Sequence, residues 1–433
     1  MNICVFGLWH LGSVTAACVA ERFRTIGLEP DPEIVSALEA GRPPILECGL
    51  EELVLAGQSA GRLRFTSDPN LAVAEADIVW VAFDTPVDEE DRADVEFVES
   101  QIASLFPYLR DGSIVLISSQ WPVGSTSRVE SSFRRQYPQR DVQFAYSPEN
   151  LRLGKAIDAF RNPKRIVVGA RGLEVRERLE LLLTPFCDNL VWMSVESAEM
   201  TKHALNAFLA NSIVFINEIA LLCEEVGADA KEVENGLKSE ERIGPRAYLG
   251  AGGPFAGGTL ARDVGFLIRN AEKLNIAAPL LKSIRCSNDL HKEWPRSKLK
   301  SVCGSLTGKT VTVLGLTYKP GTDTLRRSVS VELCNWLVGQ DVNVKAFDPV
   351  IRGFPDELSP RVTLCASATE ALKSSHAVVI STEWPQFKEI GIRDITENME
   401  MPVVLDANRF LERSLNNAPP IIYAAVGMPK GRA

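Results

Sequence analysis

At 433 residues the chain is too long for a single hydrophobic core, so two or three domains are expected. Its 47 Lys+Arg against 56 Asp+Glu give a net charge of −9 without a long basic run, which argues against nucleic acid or an anionic membrane as the main partner. The apolar fraction of 45% is ordinary for a soluble globular protein, and the nine cysteines are scattered without a CxxC pair. We therefore expect reduced thiols, no metal site and a cytoplasmic setting. A strand pattern from residue 2 leads us to expect no signal peptide.

Residues 2–8 (NICVFGL) read as a buried parallel strand, 11–23 as a helix and 24–29 (RTIGLE) as the next strand. This βαβ opening carries Gly7 and Gly12 at its first turn and Glu29 at the end of its second strand. In a dinucleotide-binding unit the first glycine makes the turn, the last lets helix and sheet pack, and the acid takes ribose hydroxyls. The acid favours NAD over NADP, because a 2′-phosphate would meet its carboxylate. Trp9 occupies the place of the middle glycine, so a nucleotide-free α/β domain stays open on this segment alone. Trp121, beside the same strand ends, is expected to pair with Trp9 in compensation.

Further strands are read at 63–66, 78–82, 113–118, 143–146 and 165–169. Polar turns follow several of them: Asp84-Thr85-Pro86, Ser119-Gln120-Trp121-Pro122 and Ser147-Pro148-Glu149. Strands alternating with helices imply a parallel doubly wound sheet, whose ligands bind at the carboxyl ends of strands.

Residues 197–227 form the longest periodic stretch, roughly 45 Å of helix at 1.5 Å per residue. Asn206, Asn211, Asn217 and Glu218 interrupt it and argue against a membrane span. Lys202 and Asn206 stand four apart and share a face. They can polarise an oxygen on a ligand, or can be a surface Lys beside a helix-packing Asn. A mostly helical stretch follows to about residue 294, with a Gly-rich loop at 250–263 (GAGGPFAGGTLARD) suited to an anionic ligand or to a mobile surface. Residues 310–316 (TVTVLGL) then echo the first strand and open a second α/β unit with strands near 343–347, 377–381 and 403–405.

Taken together these segments resemble the UDP-glucose/GDP-mannose dehydrogenase family over nearly the whole chain. The motifs are residues 7–12, Ile45-Leu46-Glu47-Cys48-Gly49-Leu50, Asp84-Thr85-Pro86, 147–152 with 162–169, 199–208, 215–218, 242–245, 257–263, 315–326 and Thr382-Glu383-Trp384-Pro385. The resemblance implies an α/β architecture of two Rossmann-like doubly wound parallel sheets. An NAD domain at 1–196, a central helical dimerisation domain at 197–300 and a nucleotide-sugar domain at 301–433 would be joined by the long helix. It also implies a homodimer, and oxidation of a UDP- or GDP-sugar at C6 with two NAD.

Residue by residue, the resemblance makes Lys202 and Asn206 the pair that steadies the alkoxide, with Asp263 and Glu149 beside them. It places the cofactor on Gly7, Trp9, Leu11, Gly12, Glu29, Thr85, Pro86, Ser119, Gln120, Arg262 and Arg326. It places the substrate on Leu151, Lys202, Asn206, Arg242, Tyr248, Phe255, Gly257 and Lys319. Arg242 matches an Arg that reaches across the dimer. The nucleophilic Cys is not kept: counting back from Asp263, its place is Thr259. Gln120 replaces a water-holding Thr, Leu153 the second Glu of the Ser-Pro-Glu segment, and Arg262 a Lys. The expected activity is an NAD-dependent oxidation that is single or transient. The alternatives are a redox-neutral epimerisation, nucleotide-sugar binding without turnover, and ordinary uronate formation.

Overall fold

The structure is a computed structural model. It describes residues 1–429 except Leu46, Val87, 89–92, Asn150, 152–153, Gly257, Arg326 and Asn417. The chain divides into two compact units, Met1–Leu205 and Asn206–Ala433.

The first unit opens with β1 (Asn2–Phe6), α1 (His10–Val19), β2 (Arg24–Leu28), α2 (Pro32–Glu39), α3 (Leu50–Ser59), β3 (Leu63–Thr66), α4 (Pro69–Val73) and β4 (Ile78–Val81). It continues with α5 (Val95–Leu105), β5 (Ile114–Ile117), α6 (Ser125–Gln136), β6 (Gln143–Tyr146), α7 (Ala156–Arg161), β7 (Ile166–Gly169), α8 (Leu173–Leu183) and β8 (Leu190–Met193). The strands form one sheet in the order β3-β2-β1-β4-β5-β6-β7-β8. The central strands β1, β4 and β5 are buried on both faces, which is why they read as continuous apolar runs. Leu8, Val14 and Leu116 fill one face, Phe6, Phe133 and Phe144 the other. The sheet is not wholly parallel. β7 meets β6 only at Tyr146 and Gly169, antiparallel, and β8 follows β7.

α9 (Val195–Val226) follows, then α10 (Ala230–Ser239), α11 (Thr259–Lys273), α12 (Pro279–His291) and α13 (Trp294–Cys303). By length and composition α9 could cross a membrane. Its polar residues nonetheless have partners inside the protein: Asn217 accepts from Gly252 N at 3.0 Å, and Glu224 accepts from Trp294 Nε1 at 2.8 Å. The second unit is completed by β9 (Thr310–Leu314), α14 (Val329–Gly339), β10 (Asn343–Phe347), β11 (Thr363–Leu364), α15 (Ala368–Leu372), β12 (Ala377–Ile380), α16 (Ile392–Asn398), β13 (Val403–Asp406), α17 (Glu412–Leu415) and β14 (Ile422–Ala424).

The faint sequence echo is a structural repeat. The second sheet runs β11-β10-β9-β12-β13-β14, matching β3-β2-β1-β4-β5-β6 of the first. Gly7 and Gly315 leave the equivalent strands at φ +89° and +88°, a region that disfavours any side chain. An acid closes each neighbouring strand on that turn: Glu29 accepts from Leu8 N, and Asp348 from Leu316 N, both at 2.7 Å.

Candidate active site

In the first unit the dinucleotide signature folds as its residues dictate. A Cβ on Gly7 would meet the Phe83 ring at 2.7 Å, and one on Gly12 would lie 1.6 Å from Gly7 O, so α1 seats directly on the turn. Burial raises the pKa of Glu29, while the Leu8 and Asp31 N–H groups that it accepts pull it back. Its oxygens keep lone pairs for ribose hydroxyls. Trp9 precedes α1 at an ordinary φ of −74°, so the backbone does not need glycine here; its indole is exposed. The expected Trp9–Trp121 pairing is not what the structure shows. Trp121 is wholly buried in the sheet core, because its apolar ring fills that layer, and its Nε1 has no hydrogen-bond partner among the described residues.

Thr85 Oγ1 donates to Gln120 O at 2.6 Å, joining two of the predicted turns, and both residues are buried. Pro86 is exposed on the same turn and Ser119 is buried beside Gln120. The first turns of α9 hold the second of these turns from below. Glu199 accepts from Gly124 N at 2.6 Å and from Thr126 N at 3.0 Å, capping α6, and His203 Nε2 donates to Trp121 O at 2.9 Å. Lys202 is buried rather than a surface Lys, and its Nζ donates to the carbonyl oxygen of Glu149 at 2.6 Å. The Glu149 carboxylate lies 3.4 Å from Nζ and accepts from Leu151 N at 2.7 Å. An ammonium carries three donors, so Lys202 keeps one for a ligand oxygen.

Three acids that lie within the sequence motifs, but to which no individual role was assigned, shape this unit. Glu47, buried, accepts from Gly154 N at 2.8 Å and Ala156 N at 2.9 Å and lies 3.1 Å from His10 Nε2. It thereby ties α7 and the loop before it to the first turn of α1. Glu199 acts as described above, and Asp84 lies at the start of α1, its Oδ2 accepting from Leu11 N at 3.2 Å. The glycine-rich motif is the signal that directs attention to Asp84, since both belong to the same corner.

In the second unit the Gly-rich segment is only partly loop. α11 begins at Thr259, because 259–273 has a helical apolar period, so Thr259, Arg262 and Asp263 stand on a helix. Thr259 is exposed on the first turn, and Arg262 is half-buried. Asp263 is fully buried and accepts from Asn206 Nδ2. The loop ahead of α11 is clamped: Asn408 Oδ1 accepts from Gly253 N at 2.7 Å and Asn288 Oδ1 from Phe255 N at 2.9 Å. His291 Nε2 donates to Gly252 O at 2.8 Å. A cavity of about 540 Å³ opens here, lined in part by Tyr248, Phe255, Leu260, Tyr318 and Lys319. Tyr318 was not expected. Its Oη lies 3.6 Å from where a Cβ on Gly258 would sit, next to Thr259. Arg242 is not among the cavity's lining residues; it is exposed and paired with Glu240 at 2.8 Å. Gly257, Arg326 and Leu153 lie outside the described residues. No cluster of His, Cys, Asp and Glu suited to a metal occurs among the described residues.

Gly7, Gly12 and Glu29 fit a dinucleotide. Residues 1–187 match the NAD binding domain of the UDP-glucose/GDP-mannose dehydrogenase family, 196–290 its central domain and 312–413 its UDP binding domain. A UDP-glucose 6-dehydrogenase of Pseudomonas aeruginosa is 35% identical over 99% of this chain and 98% of its own. One from Rhizobium meliloti is 32% identical over 99% and 100%. The solved UDP-glucose dehydrogenase from Pyrobaculum islandicum superposes with a TM-score of 0.85 at 30% identity, covering 98% of this chain and 97% of its own. The chain belongs to the UDP-glucose/GDP-mannose dehydrogenase family and is an NAD-dependent nucleotide-sugar oxidoreductase.

Proposed function

We propose that the protein oxidises the C6 carbinol of a UDP-sugar of the UDP-glucose class and performs the first oxidation far more readily than the second. The observation that carries this reading is the start of α11. Asp263 is buried against Asn206, while Thr259, one turn earlier, presents a hydroxyl where the family pattern has a thiol. No cysteine lies between Cys223 and Cys286, so no neighbouring position supplies one.

In this reading Lys202 and Asn206, a helical turn apart on α9, hold the alkoxide left when the carbinol loses its proton. Asp263 fixes the Asn206 amide, and Glu149 orients the Lys202 ammonium. Bound NAD supplies the hydride acceptor. The products of this step are an aldehyde, one NADH and one proton. Preorganised donors that stabilise developing charge contribute most to lowering such a barrier, and those donors are retained.

The second oxidation needs a tetrahedral adduct. A thiolate attacks an aldehyde readily, whereas a hydroxyl is far less acidic and gives an ester that hydrolyses more slowly. Gln120 and Leu153 stand where the family pattern has a water-holding Thr and a Glu, which makes direct hydration slow too. Tyr248, Phe255 and Lys319, which line the 540 Å³ cavity, are the residues we assign to the nucleotide sugar. The names of the relatives support the UDP-glucose class and favour net oxidation over rearrangement.

The test is NADH formation, read by absorbance, with UDP-glucose, UDP-N-acetylhexosamines and GDP-mannose. NADH dependent on a UDP-sugar supports the reading. A UDP-sugar that binds without NADH formation, in the presence of saturating NAD, overturns it.

A further inference from the structure

One side of α9 is committed to the turn that follows β5. Glu196, Glu199 and His203 stand three and four residues apart, so they share a face of the helix. Glu199 is fully buried, and its carboxylate accepts from Gly124 N at 2.6 Å and from Thr126 N and Oγ1 at 3.0 and 2.6 Å. These donors open α6, where the positive end of the helix dipole also favours a carboxylate. Glu196 accepts from Ser127 Oγ at 2.5 Å, and His203 Nε2 donates to Trp121 O at 2.9 Å. On its other side the turn is tied to the one after β4, through Thr85 Oγ1 and Gln120 O. Lys202 lies between Glu199 and His203 in the chain but reaches Glu149 instead. Two turns of one helix thus carry both the turn at 119–127 and the Lys202 ammonium.

We propose that Glu199 is a positioning residue for the cofactor. Through Gly124 and Thr126 it sets where Ser119 and Gln120 meet the bound dinucleotide, in register with Lys202. Its carboxylate is buried and acts through the turn, not on the ligand. This rests on the reading above, in which Ser119 and Gln120 face NAD and Lys202 faces the carbinol. Hydride transfer needs its reacting atoms about 3–3.5 Å apart, so a small shift of this turn matters.

The experiment is isothermal titration of the full-length protein with NAD and, separately, with UDP-glucose. Wild type is compared with Glu199→Gln, Thr126→Val and Thr126→Ser. The Gln amide keeps the size of the carboxylate but aims an NH₂ at a corner that presents donors, so one N–H loses its acceptor. Val keeps the shape of Thr126 without its O–H, and Ser keeps the O–H. NAD should bind about tenfold more weakly to Glu199→Gln and about threefold more weakly to Thr126→Val, with Thr126→Ser like wild type. UDP-glucose affinity should change less than about twofold throughout. If Glu199→Gln does not fold, the Thr126 pair decides alone. Unchanged NAD affinity in the folded variants that lose a bond overturns the proposal. So does an equal loss for UDP-glucose, which is what a general loosening of the fold would give. The comparison is of affinities, so a wild type that binds NAD without forming NADH counts against the function proposed above and not against the role of Glu199.

Discussion

Lys202 Nζ donates to the main-chain carbonyl of Glu149 at 2.6 Å and lies 3.4 Å from its carboxylate. The ammonium is thus fixed by the turn that follows β6 and has little rotational freedom left when a ligand oxygen reaches its third proton. Lys202→Met should lower kcat by about 10²–10³-fold while KM changes only a few-fold, since preorganised charge acts chiefly in the transition state. Steady-state kinetics decide this; an unchanged kcat would remove Lys202 from the chemistry.

Asn206 and Asp263 form a buried pair in the second unit. Asn206→Ala leaves the carboxylate without this donor, at a cost of about 1–3 kcal/mol in stability. Urea denaturation should show that loss together with a fall in kcat of at least about tenfold. A variant with wild-type stability would mean that Asp263 is satisfied elsewhere.

His291 gives a pH dependence with a defined sign. Burial holds its pKa below the ordinary 6.5, with the Gly252 carbonyl and Glu224 pulling the other way. The folded state keeps it neutral, with Nε2 donating to Gly252 O. Below about pH 6.5 the unfolded chain binds the extra proton first, so this contribution is complete above that pH and falls away as pH drops. His291→Gln retains an N–H for Gly252 O and does not titrate. Its urea midpoint should fall less than that of wild type between pH 7.5 and 5. Equal falls would contradict the assignment.

α9 carries an exposed apolar stripe, Phe208, Phe215 and Leu222, spaced by sevens. We propose that a second copy covers it in a homodimer. Sedimentation equilibrium at micromolar concentration should give a dimer, and Phe208→Glu with Phe215→Glu a monomer. A wild-type monomer would leave the stripe unexplained.

Much of the fold was legible because the patterns are local. The long helix, read as 197–227, spans Val195–Val226, and the 310–316 echo marked a real repeat. The turn to β7 was not legible, since a strand's periodicity is the same in either direction. The start of α11 was hidden by the glycines before it. In the candidate site, Lys202 and Asn206 were singled out by their four-residue spacing and Asp263 by the family resemblance. Glu47 and Glu199 were not, because their partners are backbone N–H groups 107, 109, 75 and 73 residues away and no sequence period reports such bonds. The burial of Trp121 was equally silent, since nothing local distinguishes a core indole from one at a strand end.

The most direct measurement is the number of NADH formed per UDP-glucose consumed, with NAD in excess and hydroxylamine present to trap a carbonyl. The role proposed for Thr259 predicts one NADH per sugar and an oxime of the nucleotide sugar by mass spectrometry. Thr259→Cys alone should move this little, because Gln120 and Leu153 remain. Two NADH per sugar, with uronate formed by the wild-type protein at an ordinary turnover of about 1–10³ s⁻¹, would contradict the account.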